Sequence, residues 1–168
     1  MVEIKICGIP DVATAKYCAG LGVDYIGLVL AESPRRISPE KALEITASLA
    51  GVPGRPRVVG VFVNQDRNTV NRIARYCRLD LVQLSGDEGT EYINRIEAPC
   101  VKSVHILPST TETELLGRIK ALCETNHNKT RVLLDSRPDQ RYGGSGTTFD
   151  WALTGKICTG FPVTVAGG

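Results

Sequence analysis

Histidine occurs twice in this chain, tryptophan and methionine once each, and aromatic residues make up 5% of it. So few rings give no stacking platform for single-stranded nucleic acid. Charge of one sign is lacking too. The 20 Lys and Arg stand against 18 Asp and Glu for a net charge of +2, and the one local basic cluster is Arg35-Arg36. A nucleic-acid partner therefore has no electrostatic footprint here. No apolar stretch approaches the roughly 20 residues that a bilayer crossing needs. Met-Val-Glu-Ile-Lys leads straight into a strand-like run, without the pattern of a signal peptide.

Cysteine is plentiful by contrast, at Cys7, Cys18, Cys77, Cys100, Cys123 and Cys158, yet no two form a C-x-x-C pair. With so little histidine, a structural zinc site is not expected. The chain is 42% hydrophobic over 168 residues, enough for a real core, which argues against a disulfide framework. We expect one globular domain over residues 1–168, in a reducing cytoplasm, with most thiols serving as small buried hydrophobes.

Strand and helix signals alternate throughout. Strands are expected over residues 4–7, 24–30, 57–63, 81–84, 100–105, 130–135 and 161–166. Helices are expected over 11–20, 38–49, 68–77, 90–96 and 113–123, with another opening near Asp150-Trp151. Ser38 suits an N-cap, and Pro39 the first helical position, where its missing N–H costs nothing. Strict βα alternation implies a parallel sheet with helices outside it.

Taking every second residue, polar groups recur on one face: Glu3, Lys5 and Cys7; Leu81, Gln83 and Ser85; Lys102 beside Val104; Arg131, Leu133 and Asp135. The opposite faces, such as Val2, Ile4 and Ile6 or Val132 and Leu134, are apolar and should meet helices. A doubly wound sheet needs both faces apolar, whereas a polar interior leading to a mouth suits a small barrel. The expected fold class is α/β, of the (β/α)8 TIM-barrel type. Lys5, Lys102, Glu3 and Arg131 are read first as a structural charge network inside it.

Cys7 and Asp135 each close an apolar strand before a glycine-containing turn, at the strand ends where chemistry collects in βα sheets. A thiol and a carboxyl at one mouth make a base and an acid that move protons without a cofactor. Lys5, one pleat below Cys7, is a candidate for lowering the thiol's pKa. Behind Asp135, the stretch Gly143-Gly144-Ser145-Gly146 reads as a loop that folds over substrate, its glycines allowing close backbone approach.

Six segments resemble one family in order and spacing: KICGI (5–9), SPRRIS (33–38), VGVFVN (59–64), VQLSGDE (82–88), LLDSR (133–137) and YGGSGTTFDW (142–151). The family is phosphoribosylanthranilate isomerase, the third-step enzyme of tryptophan biosynthesis. The resemblance implies an Amadori rearrangement of N-(5′-phosphoribosyl)anthranilate with no metal or cofactor and a small molecule as the partner. It implies Cys7 as general base, Asp135 as general acid and Arg35 as the group holding the anthranilate carboxylate, with Arg36 a solvated neighbour. Gln83 faces the mouth, where a substrate contact and a structural hydrogen bond stand as alternatives.

The chain departs from the family twice. Ser85 stands where the family usually carries histidine. Seven strands are expected rather than eight, so the eighth βα unit is missing and the barrel should have an open seam with two unpaired edges. In such barrels the substrate phosphate sits between the loops after strands seven and eight, and Gly167 and Gly168 would form half of that cradle. The alternative reading is an inactive barrel remnant that binds a phosphorylated ligand or a partner chain. A metal-dependent pentose-phosphate epimerase fits poorly, since only His105 and His127 are available, and thiol-disulfide exchange fits worst. Oligomeric state stays open.

Overall fold

The computed structural model describes residues 2–107, 110–124, 130–136, 157, 160–161 and 163–166. Seven parallel strands form one sheet in chain order: β1 (Lys5–Cys7), β2 (Tyr25–Val29), β3 (Arg57–Phe62), β4 (Leu81–Leu84), β5 (Cys100–Ile106), β6 (Thr130–Ser136) and β7 (Val163–Val165). Between them lie α1 (Val12–Gly20), α2 (Pro39–Leu49), α3 (Arg67–Tyr76), α4 (Thr90–Asn94) and α5 (Glu112–Cys123). The helix expected near Asp150-Trp151 lies outside the described residues. Among those described, no helix is long and apolar enough to cross a membrane.

Local chemistry explains the helix starts. Asp11 accepts from the Thr14 amide at 2.8 Å, Ser38 from Lys41 at 3.2 Å ahead of Pro39, and Asp66 from both Asn68 and Thr69. Thr111 and Glu114 close a reciprocal capping box on α5. Two apolar layers flank the curled sheet. Outside, Ile26, Leu28, Val58, Phe62 and Val82 pack with Ala42, Ile45 and Leu49 of α2 and Val70 of α3. Ile45 and Leu49 are fully buried, each contributing about 1.5–3 kcal/mol. Val132 and Leu134 meet Leu115 and Ile119 of α5, as expected. Inside, Tyr25, Val59, Leu81, Val101 and Leu133 form a smaller cluster, with Ala166 against it.

Two expectations about faces are corrected. Val2, Ile4 and Ile6 are 88%, 56% and 38% exposed, so no helix covers them among the described residues. Lys102 points outward, and the inward residues of β5 are Val101, Ser103 and His105. The phase of β5 follows from Val104 and Ile106, which pack on α5, and that places Lys102 on the helix side as well.

At the N-terminal ends of the strands, Asp80 ties β3 to β4. Its carboxylate accepts from Arg55 at 2.7 and 2.9 Å and from the Val58 amide at 2.7 Å. Burial raises its pKa, but the Arg55 pair and the amide outweigh that and leave it below the ordinary value. A depressed folded pKa gives stability that is present above the unfolded value and lost as pH falls through the folded one. An Asp80→Asn variant is therefore expected to melt at lower temperature than the parent at neutral pH. It should also lose less of its remaining stability on acidification below about pH 4. Thermal denaturation of both proteins across that range checks this, and parallel curves would contradict it.

Candidate active site

The turn after β1 is built around Gly8, whose φ of +89° lies in the left-handed region that favours glycine. Its amide and that of Ile9 both donate to the Gly27 carbonyl, at 2.9 and 3.0 Å, which pins the exit of β1 onto β2. A Cβ on Gly27 would lie 2.6 Å from Cys7 Sγ, so the strand beside Cys7 leaves room for the thiol. Cys7 itself is exposed.

A second contact brings in the arginine. A Cβ on Gly8 would come within 3.0 Å of both Cδ and Nη1 of Arg35, so the guanidinium lies against the Cys7–Gly8 turn. Ser33 organises this loop, its Oγ accepting from the Arg35 amide at 3.2 Å and its carbonyl from the Arg36 amide. Arg36 pairs with Glu32 on the surface, in keeping with the solvated role expected for it.

Across the mouth, Gln83 Nε2 donates to Ser85 Oγ at 2.9 Å, and Ser85 Oγ meets Ser103 Oγ at 3.0 Å. Gln83 is buried, and its Oε1 has no hydrogen-bond partner among the described residues. Asp135 is half-buried near the C-terminal end of β6 and stands opposite His105 in the β5–β6 ladder. By alternation Cys7, Gln83, Ser85, His105 and Asp135 all face the interior. Gly143, Gly144, Gly146, Gly167 and Gly168 lie outside the described residues.

The loop after β4 is held from behind. Lys102 Nζ donates to Glu88 Oε2 at 2.8 Å, to the Gly86 carbonyl at 2.5 Å and to the Leu84 carbonyl at 3.3 Å. Glu88 Oε1 in turn accepts from the amides of Asn64 and Gly86. Of the four charges expected to form one interior network, Lys102 thus belongs to a separate pair. Glu3 and Arg131 do meet, at 3.2 Å, with Tyr25 Oη bridging them, at the end of the barrel opposite Cys7. Lys5 lines the cavity between, with Glu3, Tyr25 and Arg131. Three of the other thiols, Cys18, Cys77 and Cys100, are buried. Burial pushes Cys77 up to about 11, with nearby Glu40 adding to it. Sequence reading passed over His105 and Ser103 as site residues, because phasing β5 on Lys102 turned them to the wrong face.

Comparison with known proteins agrees with this geometry. The family model for N-(5′-phosphoribosyl)anthranilate isomerase matches residues 4–168. The isomerase of Dehalococcoides mccartyi is 44% identical over 168 residues, covering 100% of this chain and 77% of that protein. The crystal structure of the Thermotoga maritima phosphoribosylanthranilate isomerase superposes with a TM-score of 0.82 at 32% identity, covering 100% of this chain and 78% of that one. A further isomerase structure, at 29% identity and a TM-score of 0.78, covers 100% of this chain and 76% of that one. It holds reduced 1-(o-carboxyphenylamino)-1-deoxyribulose 5-phosphate.

Proposed function

Since the chain belongs to the N-(5′-phosphoribosyl)anthranilate isomerase family, an intramolecular isomerase of tryptophan biosynthesis, we propose the following division of labour among its residues. Asp135 is the general acid. Its O–H bond breaks as a new O–H bond forms on the ribose ring oxygen, and the C1′–O bond opens to an iminium. Cys7, as thiolate, removes the C2′ proton that the iminium has acidified, leaving an enolamine. Tautomerisation then gives the aminoketose. The substrate is the small molecule phosphoribosylanthranilate, and the protein acts in the cytoplasm.

The observation that carries this reading is the close approach of Arg35 to the Gly8 turn. It sets a planar cation within one residue of the proposed base, where a bidentate grip on the anthranilate carboxylate would hold C2′ near the thiol. Gln83, with a buried Oε1 directed to neither Ser85 nor Ser103, is suited to accept a hydrogen bond from a ribose hydroxyl.

Turnover is followed through the loss of anthranilate fluorescence as phosphoribosylanthranilate is consumed. Arg35→Lys keeps the charge but loses the fork, and it is expected to raise KM roughly tenfold, the size of one lost charge-assisted hydrogen bond. The change in kcat should be smaller. An unchanged KM would remove Arg35 from carboxylate binding.

A further inference from the structure

Three hydrogen-bonding side chains meet on the inner face of β4 and β5. Gln83 follows Leu81 on the inward phase of β4 and stands opposite Val101 in the ladder, and both neighbours belong to the interior cluster. Gln83 is 7% exposed and Ser103 2%. Gln83 Nε2 donates to Ser85 Oγ at 2.9 Å, and Ser85 Oγ lies 3.0 Å from Ser103 Oγ. The Ser85 backbone is held on both sides. Its amide donates to the Phe62 carbonyl at 2.9 Å, and its carbonyl accepts from His105 Nε2 at 3.0 Å.

Counting hydrogens fixes the direction of this row. The Ser103 hydroxyl has Ser85 Oγ as its one partner among the described residues, and a buried O–H left without an acceptor is costly. Ser103 therefore donates to Ser85. Ser85 Oγ then accepts twice, from Gln83 and from Ser103, which occupies both lone pairs. Its own hydrogen has no acceptor among the described residues, and the buried Gln83 Oε1 has no donor. One donor and one acceptor are left together, joined by a single hydrogen bond. A hydroxyl matches such a pair, accepting from one and donating to the other, whereas a carboxylate or phosphate oxygen suits the donor alone.

The chemistry of the isomerisation selects among the sugar's hydroxyls. The C2′ hydroxyl gives up its hydrogen when the enolamine becomes a ketone. The C4′ oxygen is the ring oxygen of the substrate and carries no hydrogen until the ring opens. The C3′ hydroxyl keeps its O–H from substrate through intermediate to product, so a fixed acceptor facing it never loses its donor.

We infer that Gln83 and Ser85 together read the C3′ hydroxyl, Ser85 donating to it and Gln83 Oε1 accepting from it. Ser103 is the positioning residue that commits the Ser85 hydrogen to the ligand. The inference rests on the isomerase reaction proposed above and names the part of the substrate that this row recognises.

The test compares substrates made by condensing anthranilate with ribose 5-phosphate, its 3-deoxy analogue and its 3-deoxy-3-fluoro analogue. In the parent, kcat/KM for the 3′-deoxy substrate is expected to fall roughly 100-fold, since two hydrogen bonds are lost and a buried acceptor is stranded. Fluorine donates nothing, so the fluoro substrate should fare no better. Gln83→Leu should lower turnover of the ordinary substrate and narrow its advantage over the 3′-deoxy one to less than about tenfold. A merely structural glutamine would depress both substrates alike, and that result overturns the assignment. Should Gln83→Leu fail to fold, the parent decides alone. Equal turnover of the ordinary and 3′-deoxy substrates overturns the proposal, and parent-like turnover of the fluoro substrate overturns the acceptor role of Oε1. A parent that turns over none of them strikes at the isomerase reading instead. Binding of the reduced product and its 3′-deoxy counterpart, followed by anthranilate fluorescence, then tests the row without the chemistry, and equal affinities overturn it.

Discussion

Cys7→Ser and Asp135→Asn are each expected to lower kcat by about 10²–10⁴-fold, the usual worth of a positioned acid or base, while the protein remains folded. Cys7 is exposed at the end of a three-residue strand, so exchanging sulfur for oxygen removes little packing. Its hydroxyl replacement ionises far above the pH at which a thiol does, and no thiolate remains to take the C2′ proton. Asp135 is half-buried and its amide replacement keeps the shape, but it has no acidic proton to offer the ring oxygen. Steady-state kinetics beside thermal denaturation would separate the two effects. A Cys7→Ser protein that turns over at the parent rate would strip the thiol of its role.

The largest effect on stability is expected from Lys102→Met. The Lys102 and Glu88 side chains are 8% and 2% exposed, and removing one partner of such a pair leaves an uncompensated charge, at a cost of about 3–5 kcal/mol. Two carbonyls of the β4 exit, those of Leu84 and Gly86, would lose their donor as well. For a chain of this length the loss corresponds to a fall in Tm of roughly 6–20 °C. Glu88→Gln combined with Lys102→Met should restore part of it, because no charge is then stranded, and the difference between single and double variants measures the coupling. Because the same loop presents Ser85 to the mouth, the single variant should also weaken turnover beyond its thermal loss. A drop in Tm no larger than that of a surface substitution would show the pair to be dispensable.

Much of this protein was legible in its linear order. The alternation of strands and helices, the cap at Ser38, the proline at the first turn of α2 and the strand-end placement of Cys7 and Asp135 are local properties. Each depends on residues a few positions apart, where steric and hydrogen-bonding preferences act without help from the rest of the fold. Six separated segments in family order added the expected family, and the membership found by comparison agrees with it.

Other features were decided only in three dimensions. β5 reads Cys-Val-Lys-Ser-Val-His-Ile, with polar residues on both phases of its alternation, so the sequence could not say which phase faces inward. Packing of Val104 and Ile106 on α5 made that choice. It sent Lys102 out to a carboxylate 14 residues earlier and put His105 in register with Asp135 on the inner face. Arg35 sits against the thiol's turn because Gly8 lacks a side chain there, and Asp80 finds Arg55 only once β3 and β4 are paired. In each case the partner is distant in the chain. Strand register and the burial of one face settle which groups meet, and neither is contained in the pattern of any single segment.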